Sequence, residues 1–172
     1  SGERLDAPRD HGRYGRRTLQ AVFSTTKVLT SLVVAVLADR GRLAYNDTVA
    51  RYWPEFAANG KAAVTIGDVL RHRAGLAWLD DGDAATDDAI PLLGDAIGDV
   101  RTHRARVRAL FERSRITHVA HTRHVYHGLT RGLILNEVVR AADEQHRSIG
   151  QFARDELAPR LSGGGGGAGG MF

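Results

Sequence analysis

The sequence predicts a mainly α-helical fold, and three observations carry this prediction. Apolar residues recur every three or four positions in several stretches, which places them on one face of a helix. Alternating apolar and polar residues, the pattern typical of β-strands, are nearly absent. Glycine and capping residues stand where these helical patterns stop and start. With 172 residues, 42% of them hydrophobic, the chain is long enough for one domain with a substantial core.

The first predicted helix spans Ser24 to Arg40, and Gly41 follows it as a C-terminal stop. Its apolar positions cover much of the helix circumference, so we expect a central, buried helix. These positions are Val28, Leu29, Leu32, Val33, Val36 and Leu37.

Shorter helices are predicted further along the chain. Trp53 and Phe56 are large aromatic residues that we expect in the core. Thr65 and Asp68 have the spacing of a capping box, and we expect the helix that they start to end at Gly75. Helical spacing also covers residues 100–113, around Val107, Leu110 and Phe111, then residues 129–145, and lastly Ile149–Leu161.

Composition divides the chain into three parts. Residues 1–17 form an N-terminal arm without periodicity, residues 18–161 a domain, and residues 162–172, SGGGGGAGGMF, a glycine-rich tail of low complexity. Residues 79–99 contain seven Asp but lack the EF-hand spacing, so we expect a solvated loop that leads into a short helix. No signal peptide or transmembrane run is seen, and a cytoplasmic location is the default expectation.

The charge pattern favours neither nucleic acid nor a membrane as a partner. The net charge is +4, and of 24 basic residues only Lys27 and Lys61 are lysines. Because the arginines are spread along the chain, they do not form a binding patch with interleaved aromatics. Nucleic-acid binding by the Arg101–Arg115 segment is kept as a weaker alternative.

No metal or other cofactor is expected. The chain has no cysteine, which excludes disulfides and thiolate ligands. Four histidines recur at every third residue, but helical zinc sites favour a spacing of four. Metal binding by this series therefore stays a weaker alternative. The series is His118, His121, His124 and His127.

The stretch AVFSTTKVLTS places Ser24 three residues before Lys27, at the start of the first predicted helix. Residues at this spacing share a helix face, so the lysine amine can reach the serine hydroxyl. A serine becomes an effective nucleophile when a base removes its proton, and burial against Val28 and Leu32 would lower the pKa of the lysine. The alternative is an exposed lysine on an ordinary amphipathic helix.

Three longer segments resemble the β-lactamase-related serine hydrolases, in which Ser-x-x-Lys carries the nucleophile. They are LQAVFSTTKVLTSLVVAVLADRGRLAYNDTVARYWPEF, VTIGDVLRHRAGL and VYHGLTRGLILNEVVR. This family includes class C β-lactamases, penicillin-binding and D-alanyl-D-alanine carboxypeptidase-type proteins, and esterases. The chain is most similar to the esterase-like branch.

The resemblance implies a role for each matched residue. Ser24 would accept the acyl group, and Lys27 would take up its proton. Tyr126 would pass the proton to the leaving group, with its phenol acidified by the charge of Lys27. His72 would be structural, near the turn at Gly75. The implied substrate is a small-molecule ester or amide.

The match also departs from the family pattern. Gly128 stands where related β-lactamases often carry Asn, and Ala120 and His121 replace a Pro-Gly. A third motif, a K-T-G or H-x-G on a strand, is missing. The resemblance thus implies the helical portion of the α+β β-lactamase/transpeptidase-like fold, with most of the antiparallel sheet missing. We expect a truncated and impaired enzyme; the alternative is a catalytically inactive helical fragment or interaction module.

Overall fold

A computed structural model describes residues 15, 18–79 and 100–162 of the chain, and these residues are mainly helical. The predicted mainly α architecture is confirmed. Strand-like pairing in the described ranges includes an antiparallel bridge between Thr48 and Thr65 and no extended strand. None of the described helices is both long and apolar enough to cross a membrane. The predictions for the N-terminal arm, for most of the acidic segment and for the glycine-rich tail lie outside the described residues.

Seven α-helices are described in these ranges, and the bounds of the three longest agree closely with the periodicity. They are α1 (Thr26–Asp39), α2 (Val49–Tyr52), α3 (Ile66–Leu70), α4 (Val100–Arg113), α5 (Thr130–Ala142), α6 (Ile149–Phe152) and α7 (Ala158–Ser162). A π-helical turn, Ala153–Leu157, joins α6 to α7, and 3₁₀ turns span Phe23–Thr25 and Pro54–Ala57.

The central helix is α5, not α1. Helices α1, α2, α3 and α6 all pack against α5. Helix α1 buries the face that carries Val33, Val34 and Leu37, but Val28 is 58% exposed and Leu32 is 46% exposed. The expectation of a central, buried first helix is therefore wrong for the described residues, because α1 is covered on one face only.

Three aromatic side chains pack the 3₁₀ turn Pro54–Ala57 and the residue before it against α4. The ring centroid of Trp53 lies 5.3 Å from that of Phe56 and 6.0 Å from that of Phe111, and all three side chains are buried. The indole Nε1 of Trp53 donates a hydrogen bond of 2.8 Å to Glu112 Oε1. This bond satisfies the polar end of a buried tryptophan. The prediction that Trp53 and Phe56 belong to the core is confirmed.

Helix α3 begins as predicted but ends earlier. The Asp68 N–H donates to Thr65 Oγ1 (3.1 Å) and the Thr65 N–H donates to Asp68 Oδ2 (3.0 Å), which completes the capping box. The helix ends at Leu70, and His72 follows in the left-handed conformation with φ 60°. Gly75, the predicted end, lies beyond, at φ 75°, where a Cβ would collide with the carbonyl oxygen of His118.

Two arginines of α4, of which Arg104 is exposed and Arg108 partly buried, pair with one buried carboxylate of α5. Arg104 forms a bidentate pair with Glu137, with bonds of 2.8 and 2.7 Å, and Arg108 donates to the same carboxylate at 3.1 Å. Burial raises the pKa of Glu137, but the hydrogen bonds from both arginines outweigh it and lower the pKa below its ordinary value. These cations join α4 to α5.

Because Lys61 is buried, the free energy of unfolding should change with pH in the alkaline range. Lys61 is fully buried and donates to the carbonyl oxygens of Glu112 and Ser114. Burial lowers its pKa from 10.5 to about 8, so between these values the unfolded chain binds more protons than the folded chain. Stability contributed by Lys61 should therefore rise with pH in this window.

Urea denaturation from pH 7 to pH 10 tests this. We expect the midpoint of the wild-type protein to rise relative to that of Lys61→Met as the pH increases. Parallel curves for the two proteins would contradict the assigned burial effect.

Candidate active site

Ser24 and Lys27 lie together at the N-terminal end of α1. Ser24 is the middle residue of the 3₁₀ turn Phe23–Thr25, which leads directly into the helix, and Lys27 lies in the first turn of α1. The Lys27 Nζ donates a hydrogen bond of 3.1 Å to Ser24 Oγ. The structure thus brings together the two residues whose spacing predicted contact. The helix N-terminus adds backbone N–H groups and the positive end of the helix dipole.

Tyr126 completes a group of three polar side chains, although it is 102 residues from Ser24. Its hydroxyl is hydrogen-bonded to Ser24 Oγ, and the Lys27 Nζ lies 4.9 Å from the centroid of its ring. Hydrogen bonding from Lys27, followed by that from Ser24, lowers the pKa of the Tyr126 phenol below its ordinary value of 10.0. The serine hydroxyl therefore has two neighbours that can exchange protons with it.

The site is more open than the sequence predicted. Ser24 is exposed, Tyr126 is 58% exposed and Lys27 is half-buried. The prediction that Val28 and Leu32 bury Lys27 is wrong for the described residues, because both side chains are themselves exposed. Helical periodicity identifies an apolar face but does not show which part of that face is covered.

Two histidines surround the backbone of Tyr126. The carbonyl oxygen of His72 accepts a hydrogen bond from the Val125 N–H (3.0 Å), and its Nδ1 accepts one from the His127 N–H (2.9 Å). His127 in turn accepts the Leu76 N–H at Nε2 (3.0 Å), and its Nδ1 is bonded to the Val125 carbonyl oxygen. These contacts fix the tyrosine segment to the turn after α3.

Both histidines are held in the neutral form. Burial lowers the pKa of His72 to about 4, and the positive charges of Arg131 and Lys27 add to this effect. Burial also lowers the pKa of His127. A neutral ring is required, since in each case one ring nitrogen accepts a backbone N–H.

The four evenly spaced histidines contact different partners. His118 Nδ1 is bonded to Thr117, His124 Nδ1 to the carbonyl of Arg71, and His121 Nδ1 to Asp68 at 2.6 Å. His127 makes the backbone contacts described above. Within the described ranges, no group of three or more His, Asp or Glu side chains is arranged to hold a metal ion.

His121 stands in place of the glycine of the Pro-Gly pair that the family resemblance implies. Its φ of 72° is left-handed, a conformation that suits glycine and is uncommon for other residues. Two bonds hold it there: its N–H donates to the Arg73 carbonyl (3.1 Å), and its ring contacts the buried Asp68. These two bonds stabilise a left-handed conformation at a residue other than glycine.

Arg131 lies beneath the site, and the sequence analysis did not single it out. It is 4% exposed and donates to Ser31 Oγ (2.7 Å), to the Leu70 carbonyl (3.3 Å) and to the Lys27 carbonyl (3.4 Å). It thereby links α1 and α3 to α5. Its place on the buried face of α5, three residues before Ile134, was a signal that could have revealed it.

The contact between Ser24 and Lys27 joins the two residues of the Ser-x-x-Lys motif on which the family resemblance partly rests. A comparison with family models matches residues 5–165 to the model described as Beta-lactamase. The chain belongs to the beta-lactamase family.

The chain is also similar to individual members of this class. It is 38% identical over 140 residues to the esterase/beta-lactamase LipL of Mycobacterium tuberculosis (strain ATCC 25618 / H37Rv). The matched residues make up 81% of this chain and 29% of LipL. A penicillin-binding protein homologue from Caulobacter crescentus superposes with a TM-score of 0.64 at 34% identity, covering 81% of this chain and 34% of the homologue.

A family VIII carboxylesterase gives the same TM-score of 0.64 at 33% identity, over 80% of this chain and 34% of the carboxylesterase. The chain thus spans about a third of the length of the proteins that it matches. This is consistent with the prediction of a helical portion of the β-lactamase-type fold.

Proposed function

We propose that this chain catalyses acyl transfer through an acyl-serine intermediate on Ser24. One observation carries the proposal: the Ser24 hydroxyl contacts both the Lys27 amine, at 3.1 Å, and the Tyr126 phenol. A serine with an adjacent lysine and a phenol of lowered pKa has the parts that an activated nucleophile needs.

In the proposed reaction Ser24 Oγ attacks the carbonyl carbon of the substrate, and its proton passes to the phenolate form of Tyr126, whose negative charge Lys27 stabilises. The tetrahedral intermediate collapses by breaking the bond to the leaving group, which takes up the proton from the Tyr126 hydroxyl. Water then hydrolyses the acyl-Ser24 ester, with the proton following the reverse route.

An ester or a small amide is the proposed substrate class. Support comes from the names of similar proteins, an esterase/beta-lactamase and a carboxylesterase. Gly128 supports esters over lactams, since it follows Tyr126 by two residues, where related β-lactamases often carry Asn.

We propose a slow enzyme, because Ser24 and Tyr126 are exposed and water weakens the electrostatic stabilisation of a transition state. The alternative is a catalytically inactive helical module. The observation in its favour is the exposed apolar surface at Val28, Leu32 and Leu129 beside the site. Helical circular dichroism with a cooperative melt, together with no turnover, would support the module.

Burst kinetics with p-nitrophenyl acetate test the proposal. We expect a rapid release of p-nitrophenol that approaches one equivalent per chain, followed by slower turnover, because the acyl-enzyme accumulates. The same chain unfolded in urea is the control, since it keeps every nucleophilic side chain without the site. Equal release by the folded and unfolded chains would contradict the proposal.

A further inference from the structure

We propose that His72 is the positioning residue for Tyr126: it binds the backbone on both sides of the tyrosine and supports the phenol ring against Ser24. This inference rests on the proposed function, because the position of the phenol matters there for proton transfer.

The backbone around Tyr126 depends on His72 for its position. Tyr126 lies between α4 and α5, in a segment without regular secondary structure, and the tyrosine side chain is largely exposed. The two peptide N–H groups that flank it, those of Val125 and His127, both donate to His72, at 3.0 and 2.9 Å. One residue therefore fixes both neighbours of the tyrosine.

The rings of Tyr126, His72 and His127 contact one another in series from the surface to the core. The His72 ring centroid lies 5.0 Å from that of Tyr126, with a tilt of 40°, and 5.8 Å from that of His127 on the way to the core. The His127 ring is fully buried and bonded to Leu76 and Val125. The Tyr126 ring thus packs against the His72 ring, which packs against the buried ring of His127. A shift of His72 would therefore move the Tyr126 hydroxyl relative to Ser24.

The conformation of His72 is costly, which indicates that its contacts are strong enough to hold it. Its φ of 60° is left-handed, and such a conformation is unfavourable for a non-glycine residue. This conformation presents the carbonyl oxygen and Nδ1 to the same segment. Asparagine tolerates a left-handed φ and has a side-chain acceptor, whereas glycine tolerates it and has none.

His72 acts through Tyr126 and does not contact Ser24 in the structure, so it is a positioning residue. Its Nδ1 must stay unprotonated to accept the His127 N–H. The positive charges of Arg131 on α5 and Lys27 on α1 favour this neutral ring, and the other titratable side chains that face it are His124 and His127 on the tyrosine segment.

Three variants separate positioning from general structural damage. His72→Gly removes ring and acceptor without backbone strain, and His72→Asn restores an acceptor. His146→Gly is the matched control, since His146 is also left-handed (φ 53°) and bonded through Nδ1 to a carbonyl, that of Arg140, but beyond the far end of α5. Each is measured alone, and His72→Gly is also measured in a Tyr126→Phe background.

We expect His72→Gly to lower kcat for p-nitrophenyl acetate by about 10- to 100-fold with little change in KM, as for a displaced catalytic group. His72→Asn should recover most of this loss, and His146→Gly should keep the wild-type kcat. In the Tyr126→Phe background His72→Gly should have little further effect, because it acts through the missing phenol.

A second readout does not need activity. NMR titration of ¹³C-labelled tyrosine, with the Tyr126 signal assigned by its loss in Tyr126→Phe, should show the Tyr126 pKa rising toward 10 in His72→Gly and staying low in His146→Gly. If the wild-type protein shows no turnover but this shift occurs, the proposed function fails and the positioning role stands. An unchanged Tyr126 pKa and kcat in a folded His72→Gly protein would overturn the inference.

Discussion

Replacing Lys27 with methionine should slow acylation of Ser24 by about 1,000-fold, because the Tyr126 phenolate, the proposed base, loses the cation that stabilises it. This loss is within the range that acid–base catalysis contributes to a rate. The hydrogen bond of 3.1 Å from Lys27 Nζ to Ser24 Oγ disappears in this variant, and so does the cation that lowers the Tyr126 pKa. Methionine keeps an unbranched chain of similar length, so packing at the start of α1 should change little. The rate of the p-nitrophenol burst is the measurement.

The second lysine of the chain provides a matched control. Lys61 is buried away from the site, against the carbonyls of Glu112 and Ser114, so Lys61→Met should keep the burst rate at temperatures where the protein is folded. Ser24→Ala supplies the baseline, since it removes the nucleophile. A Lys27→Met protein that acylates within threefold of the wild-type rate would contradict the proposed role of Lys27.

Replacing Phe111 with alanine should lower the free energy of unfolding by about 3–5 kcal/mol, the usual cost of deleting a buried aromatic ring. Phe111 is fully buried on α4 and its ring makes an edge contact with Trp53, which in turn packs on Phe56. Since domains are stable by only about 5–15 kcal/mol, the variant should unfold at a far lower urea concentration. Urea denaturation followed by circular dichroism measures the change.

Phe23→Ala is the control for this variant, because Phe23 is 85% exposed and its loss opens no cavity. We expect its free energy of unfolding to stay within about 0.5 kcal/mol of the wild-type value, as for most surface substitutions. Equal destabilisation by Phe23→Ala and Phe111→Ala would show that the described core does not determine stability.

Local sequence patterns predicted most of the helices and one contact of the site. The Ser24–Lys27 contact follows from helical spacing, because residues three apart share a face. The capping box at Thr65 and Asp68 was predictable for the same local reason. Tyr126 could be identified as a candidate site residue only through the family resemblance, since no local pattern relates residues 102 positions apart.

Tertiary contacts explain what the sequence analysis missed. The end of α3 at Leu70 depends on His72, whose left-handed conformation is compensated by bonds to a segment more than 50 residues away. The buried arginine beneath the site, Arg131, is stabilised by carbonyls of two other helices. The exposure of Val28 depends on what packs against α1, and periodicity does not contain that information.

Mapping the adduct of a fluorophosphonate probe tests the central claim, that Ser24 is an activated nucleophile. Trypsin cuts after Arg17 and Lys27, so Ser24 is the sole serine of the peptide 18–27, and Ser31 falls in the peptide 28–40. We predict one probe molecule per folded chain, found on the peptide 18–27 at Ser24. An unmodified chain under saturating probe, or an adduct on the peptide with Ser31, would contradict the claim.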